Sequence, residues 1–155
     1  MRILGIDPGT TTIGYAVCER IERDFHILDF GVIKTTPKQE LNHKLYEIGI
    51  DMKGIIQRYN PEICAVEKLF FNTNITTGIA VSHARGVILY ECMKAGIDIK
   101  EYTPLQVKKG LTGNGQAKKG QVQKALMMLL GLSSIPKPDD AADALALAYI
   151  GSLGK

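Results

Sequence analysis

Three strand patterns follow one another at the start of this chain, with no room for a helix between them. "MRILGID" (residues 1–7) is a short apolar strand that runs into the breakers Pro8 and Gly9. "IGYAVCER" (13–20) and "FHILDFGVIKT" (25–35) carry the period-two alternation of strands. Connections this short favour antiparallel hairpins. The pattern then changes. Residues 39–59 place Leu41, Leu45, Ile48, Met52, Ile55 and Ile56 at helical spacing. "PEICAVEKLF" (61–70) reads as a buried strand and residues 76–96 as a helix stopped by Gly96. "IDIKEYT" (97–103) is a last strand. Two helices, 103–111 and 118–132, flank "TGNGQA", and a final helix starts near Asp139. The order β-β-β-α-β-α-β-α-α-α predicts an α/β fold: one five-stranded mixed sheet, antiparallel for three strands and then parallel, flanked by helices. The fourth strand should lie parallel beside the first, since both are strongly apolar. No repeat, low-complexity tract or linker divides the chain, so residues 1–155 read as a single domain.

A chain of 155 residues is long enough for a real core. No apolar run is long enough to span a membrane, and "MRILGIDPG" lacks a signal-peptide core, so a cytoplasmic location is expected. Cys18, Cys64 and Cys92 lie far apart without metal-ligand spacing and read as buried small residues. The net charge of +3 is unevenly spread. From Lys100 to Lys124 there are six lysines and one acid, Glu101. That balance suits a polyanion, because lysines bind phosphate and release counterions; a solvated face has the same composition.

The acids carry the chemistry. Asp7 ends the first strand, and Glu67 interrupts the apolar run of the fourth. On neighbouring strands about 4.8 Å apart, these two carboxylates can converge. The last helix, "DDAADALALAYI", carries Asp140 and Asp143 at i,i+3 on one face. The small Ala141, Ala142 and Ala144 let that helix pack close to the sheet. Four carboxylates from three elements repel one another unless cations bind between them. All-oxygen ligation suits Mg²⁺ or Mn²⁺ and argues against zinc. Two such ions about 4 Å apart can activate a water and stabilise the leaving oxygen in phosphodiester hydrolysis. Asp139 is expected to cap the helix start instead. It is also i,i+4 to Asp143, so spacing alone leaves it open as a ligand.

"GIDPGTTTIGYAV", "AVEKLFFNTN", "ARGV", "QVKKGLTGNGQAKKGQVQ" and "DDAADALALA" together resemble the RuvC family of Holliday-junction resolvases, in the same order and over nearly the whole chain. The resemblance implies a ribonuclease H-like fold and a homodimer. It implies Mg²⁺-dependent endonuclease activity, two ions per subunit with Mn²⁺ as a substitute, making symmetric paired nicks in four-way DNA junctions during recombination and repair. It also implies a branch-migration partner of the RuvA and RuvB type. The family's four catalytic and metal-holding carboxylates fall on Asp7, Glu67, Asp140 and Asp143, which selects Asp140 over Asp139.

Other residues are read beside that frame. Lys108, Lys109, Lys118 and Lys119 flank a glycine-bearing loop and are candidate DNA-binding residues, with Lys108 and Lys119 matching the family's important lysines. Phe70 matches a family aromatic that stacks on bases, whereas Phe71 is expected in the core. His26, His43 and His83 are scattered and read as structural or surface groups. In residues 76–96, Val81, Ala84, Ile88, Cys92 and Ala95 share one face; Ile79, Gly86, Leu89, Tyr90 and Met93 form a second, with Arg85 between them. A helix covering a sheet needs only one apolar face. A two-fold contact with a second copy would cover the other, or the 103–132 helices would. "IDPGTTTIGYAV" also resembles the phosphate-binding hairpin of actin-type phosphotransferases, but that architecture needs two such domains and 155 residues are too few. A non-catalytic nucleic-acid module would not need four converging acids. A ribosomal-RNA-processing nuclease is a same-class alternative, separable by a substrate assay.

Overall fold

The structure is a computed structural model that describes residues 1–9, 11–68 and 75–154. Its elements are β1 (Arg2–Asp7), β2 (Thr12–Ile21), β3 (Asp24–Lys34), α1 (Leu41–Tyr59), β4 (Ile63–Glu67), α2 (Ile75–Lys94), β5 (Asp98–Tyr102), α3 (Pro104–Thr112), α4 (Lys119–Leu130) and α5 (Asp139–Gly151). The sheet order is β3-β2-β1-β4-β5. β1 pairs antiparallel with β2 and parallel with β4, as their apolar character requires of central strands. β2 pairs antiparallel with β3, and β5 extends the sheet parallel to β4.

Period-two alternation splits the core across the sheet. Leu4, Ile6, Val17, Cys64 and Val66 face α1 and α2, where Ile48, Met52, Ile88 and Cys92 complete one cluster. Ile3, Ala16, Cys18 and Ala65 face α5, against Ala144, Leu145 and Ala148. α3 and α4 then pack over α5 through Leu111, Leu126, Ala142, Ala146 and Ile150. α5 is therefore sandwiched, and nine of its thirteen residues are buried. All three cysteines are buried, as small core residues should be. No helix among the described residues is long and apolar enough to cross a membrane.

Two glycines decide how close α5 comes. A Cβ on Gly5 would fall on the Ala144 carbonyl and 2.8 Å from the Ala148 nitrogen. A Cβ on Gly14 would overlap the Asp140 carbonyl. Glycine in β1 and β2 thus lets the helix backbone rest directly on the sheet. Ala141, Ala144 and Ala148 form the matching small face.

α2 packs on α1 and beside β5, whereas α3 and α4 lie across the sheet, against α5. The alternative that the 103–132 helices cover the second face of α2 is therefore not met. Ile79, Tyr90 and Met93 are exposed, at 51%, 64% and 65%. Leu89 is half-buried and packs on the core instead. The reason is angular: Leu89 lies at the edge of that face, next to the side that packs inward.

Candidate active site

Strand ends and a helix start meet at one edge of the sheet. Asp7 is the last residue of β1, and Glu67 is the last of β4. The parallel register Ile6↔Val66 places them on the next rung together. Above them lies the first turn of α5, held down on Gly14. There Asp7, Asp140 and Asp143 each offer a carboxylate oxygen, and these oxygens lie within 4.8 Å of one another. Glu67 lines the same cleft as Asp7 and Asp143, a space of about 220 Å³ that Lys108 also borders.

Desolvation and crowding push Asp7, Glu67 and Asp143 towards the protonated form. Asp7 is pushed up to about 8, first by burial and then by the charges of Asp143, Glu67 and Asp140. Burial and the charge of Asp143 raise Glu67. Asp143 is exposed as a residue yet lines the cleft; it too is raised, first by desolvation, with Asp140 and Asp139 adding repulsion and Asp7 opposing the rise by hydrogen bonding. A set of carboxylate oxygens this close fits a hard divalent cation. No histidine joins the cluster among the described residues, and His26, His43 and His83 are all exposed.

The expectation that Asp139 caps α5 is not met. Pro138 occupies the N-cap position, and Asp139 sits in the first turn without a capping bond. Its carboxylate instead accepts a 2.8 Å bond from Lys119 Nζ at the start of α4. The helix dipole still favours an acid there. This turns Asp139 towards Lys119, while Asp140 enters the cluster.

The basic residues divide in the same way. Lys108 and Lys119 line an adjoining cavity of about 330 Å³ that shares Asp143 with the first. α3 aims Lys108: a capping box joins Thr103 and Gln106, Pro104 opens the helix, and Gly113 ends it in the left-handed conformation with φ 80°. Lys109 and Lys118 are exposed and border neither cavity. Phe70 and Phe71 lie outside the described residues. Arg85, read in the sequence as a divider between helix faces, donates from Nε to the Glu67 carbonyl at 3.1 Å. Its position in "ARGV" was the sequence signal, but pattern alone does not say what an arginine touches.

The profile of the family "Crossover junction endodeoxyribonuclease RuvC" matches residues 3–150. The chain belongs to this family. A relative of that name from Halothermothrix orenii is 51% identical over 148 residues, covering 96% of this chain and 90% of the relative. One from Petrotoga mobilis is 50% identical over 149 residues, covering 96% and 91%. The solved Thermus thermophilus RuvC superposes with a TM-score of 0.91 at 33% identity, covering 98% of this chain and 93% of that one. A second structure of that protein, in complex with a Holliday junction substrate, superposes equally well. The fold is ribonuclease H-like, as the resemblance implies, and the chain is an endonuclease of this family.

Proposed function

We propose that this chain resolves four-way DNA junctions by paired symmetric nicks, in recombination and repair, and that Asp7, Glu67, Asp140 and Asp143 are its catalytic, metal-holding residues. The observation that carries the reading is the carboxylate cluster in a cleft bordered by Lys108, with Lys119 lining the cavity beside it. The all-oxygen donor set fits Mg²⁺, with Mn²⁺ as a substitute, and two ions per subunit would share the four acids. When bound, such ions supply Lewis acidity for water attack on a phosphodiester and for the leaving oxygen. Asp7 must give up its proton for this, so binding of cations and loss of that proton go together. Lys108 and Lys119 hold the flanking phosphates, and Lys109 and Lys118 act further out as weaker backbone contacts. Phe70 stacks on a base where the junction opens.

Residues 1–155 act as one nuclease domain that works as a two-fold homodimer. Support comes from the exposed apolar face of α2, Ile79, Tyr90 and Met93, which a self-complementary contact would cover. Two symmetric cuts need two active sites in the same relation. The partners are junction DNA and a branch-migration complex of the RuvA and RuvB type, and the site of action is the cytoplasm.

The test is a synthetic mobile four-way junction with Mg²⁺ and a linear duplex as control. Paired nicks at symmetric positions are expected, with the duplex left whole; equal cutting of both overturns the reading. Asp7→Asn, Glu67→Gln, Asp140→Asn and Asp143→Asn should each abolish cutting while junction affinity holds. Lys108→Ala and Lys119→Ala should each weaken junction affinity and lower its salt slope by about 1. A salt-independent affinity would refute the phosphate contacts. Phe70→Ala should slow cutting more than it weakens binding.

A further inference from the structure

We propose that Arg85 is a positioning residue that fixes the end of β4, and with it the Glu67 carboxylate, from the side of the sheet opposite α5. The proposal rests on the reading of Glu67 as a metal-holding acid.

The β1–β4 ladder has its last rung at Ile6↔Val66, one residue before Glu67. On the other side, Lys68 N donates to the Tyr102 carbonyl at 2.8 Å. The Glu67 carbonyl accepts from Arg85 Nε at 3.1 Å. The same guanidinium uses a terminal nitrogen to pair with the Glu101 carboxylate on β5. Its side chain is only 15% exposed. The β4–β5 ladder closes on the rung Glu67↔Tyr102. One planar fork from α2 braces that last rung by tying the Glu67 carbonyl to Glu101 of β5, on the residue that β1 no longer pairs. A sheltered guanidinium with two fixed acceptors has little freedom, and a lysine, with a single ammonium on a flexible stem, cannot reproduce the fork. Acids that share cations tolerate little displacement, so an anchor on the backbone carbonyl of Glu67 itself matters to its carboxylate.

A helix-to-sheet tether with no further role would lower the melting temperature and leave the folded enzyme unchanged. Positioning predicts more. In the full chain, Arg85→Ala should lower the single-turnover cutting rate about 10- to 100-fold. Metal-free junction affinity should stay within about threefold. Mn²⁺ affinity without DNA, read by electron paramagnetic resonance, should fall in step with the rate. Arg85→Lys should fold as the wild type does and recover the rate only in part. Glu101→Gln, which keeps the shape and removes the charge, should show a smaller loss in the same direction. A folded Arg85→Lys variant with unchanged rate and unchanged Mn²⁺ affinity overturns the proposal. So does a rate loss matched by lost junction affinity, which would make Arg85 a DNA contact. If Arg85→Ala does not fold, Arg85→Lys and Glu101→Gln decide. If the wild type itself leaves the junction whole, the functional reading fails, and the Mn²⁺ titration alone decides on Arg85.

Discussion

α5 and α2 lie on opposite faces of the same sheet, and both are rich in apolar residues, yet they are covered in opposite ways. α5 is enclosed by the sheet below and α3 and α4 above, and it rests on two glycines. α2 packs through Ala84, Ile88 and Cys92 and leaves Ile79, Tyr90 and Met93 in solvent. A helix held between the sheet and two covering helices has little room to shift or roll, so Asp140 and Asp143 are delivered to one place beside Asp7. A helix with an uncovered apolar face has a surface to offer. Under the proposed function, rigidity would serve chemistry on one side of the sheet, and the open face would serve association on the other.

The strongest way to break that comparison is to lift α5. Gly14→Val puts a branched side chain where the Asp140 carbonyl lies. Overpacking of this kind costs about 1–3 kcal/mol or more. Urea unfolding should show that loss, and cutting should disappear even in the molecules that remain folded. If Gly14→Val cuts normally, α5 is not the fixed platform described here.

On the opposite face, Met93→Glu should change assembly and not folding. Met93 is 65% exposed in the single chain, so the unfolding free energy of the dissociated monomer should move by no more than about 0.5 kcal/mol, apart from any stabilisation lost with the dimer. Sedimentation should show a dimer for the wild type and a monomer for the variant, with paired cutting lost. A variant that remains dimeric shows that a different surface pairs the subunits. Leu89 is a poorer target, because its side chain also packs on the core.

A smaller effect follows from the crowded acids beside α5. Asp7 holds its proton up to about 8 when folded, against an ordinary value of 3.8. Between those values the folded chain binds more protons than the unfolded one, so stability falls as pH rises. The contribution is fully present below about 4 and is lost by about 8. Glu67 and Asp143 are raised too and act with the same sign. Urea midpoints across this range, without divalent ions, should decline with pH, and Mg²⁺ should flatten the decline by favouring the charged acids. A midpoint that rises with pH would contradict the crowding.

The smallest effect should come from Asp139→Asn. Its bond to Lys119 joins two exposed side chains, and solvent screening leaves such a pair little weight in stability. Cutting should change by a few-fold at most. If Asp139→Asn is as inactive as Asp140→Asn, the assignment of Asp140 to the cluster is wrong.

Much of this was legible without coordinates, because it is local. Short connections force hairpins, so the antiparallel β1, β2 and β3 follow from spacing. Side-chain periods of two and 3.6 separate strands from helices, and they placed every element to within a few residues. Asp7 and Glu67 each stand out as acids in apolar runs, and the i,i+3 pair on α5 is fixed by helical geometry alone. Which residues meet through space is not local. Spacing left Asp139 and Asp140 both open; the family resemblance chose Asp140, and the physical reason appears only in the fold, where α5 rests on Gly14 with Asp140 beside Asp7 and Asp139 bonded to Lys119. Four lysines shared one composition, but the packing of α3 and α4 over α5 brings only Lys108 and Lys119 to the cavities around Asp143. Arg85 looked like a divider on a helical wheel, because a wheel shows where a residue sits on its own helix and not the carbonyl it reaches on a neighbouring strand.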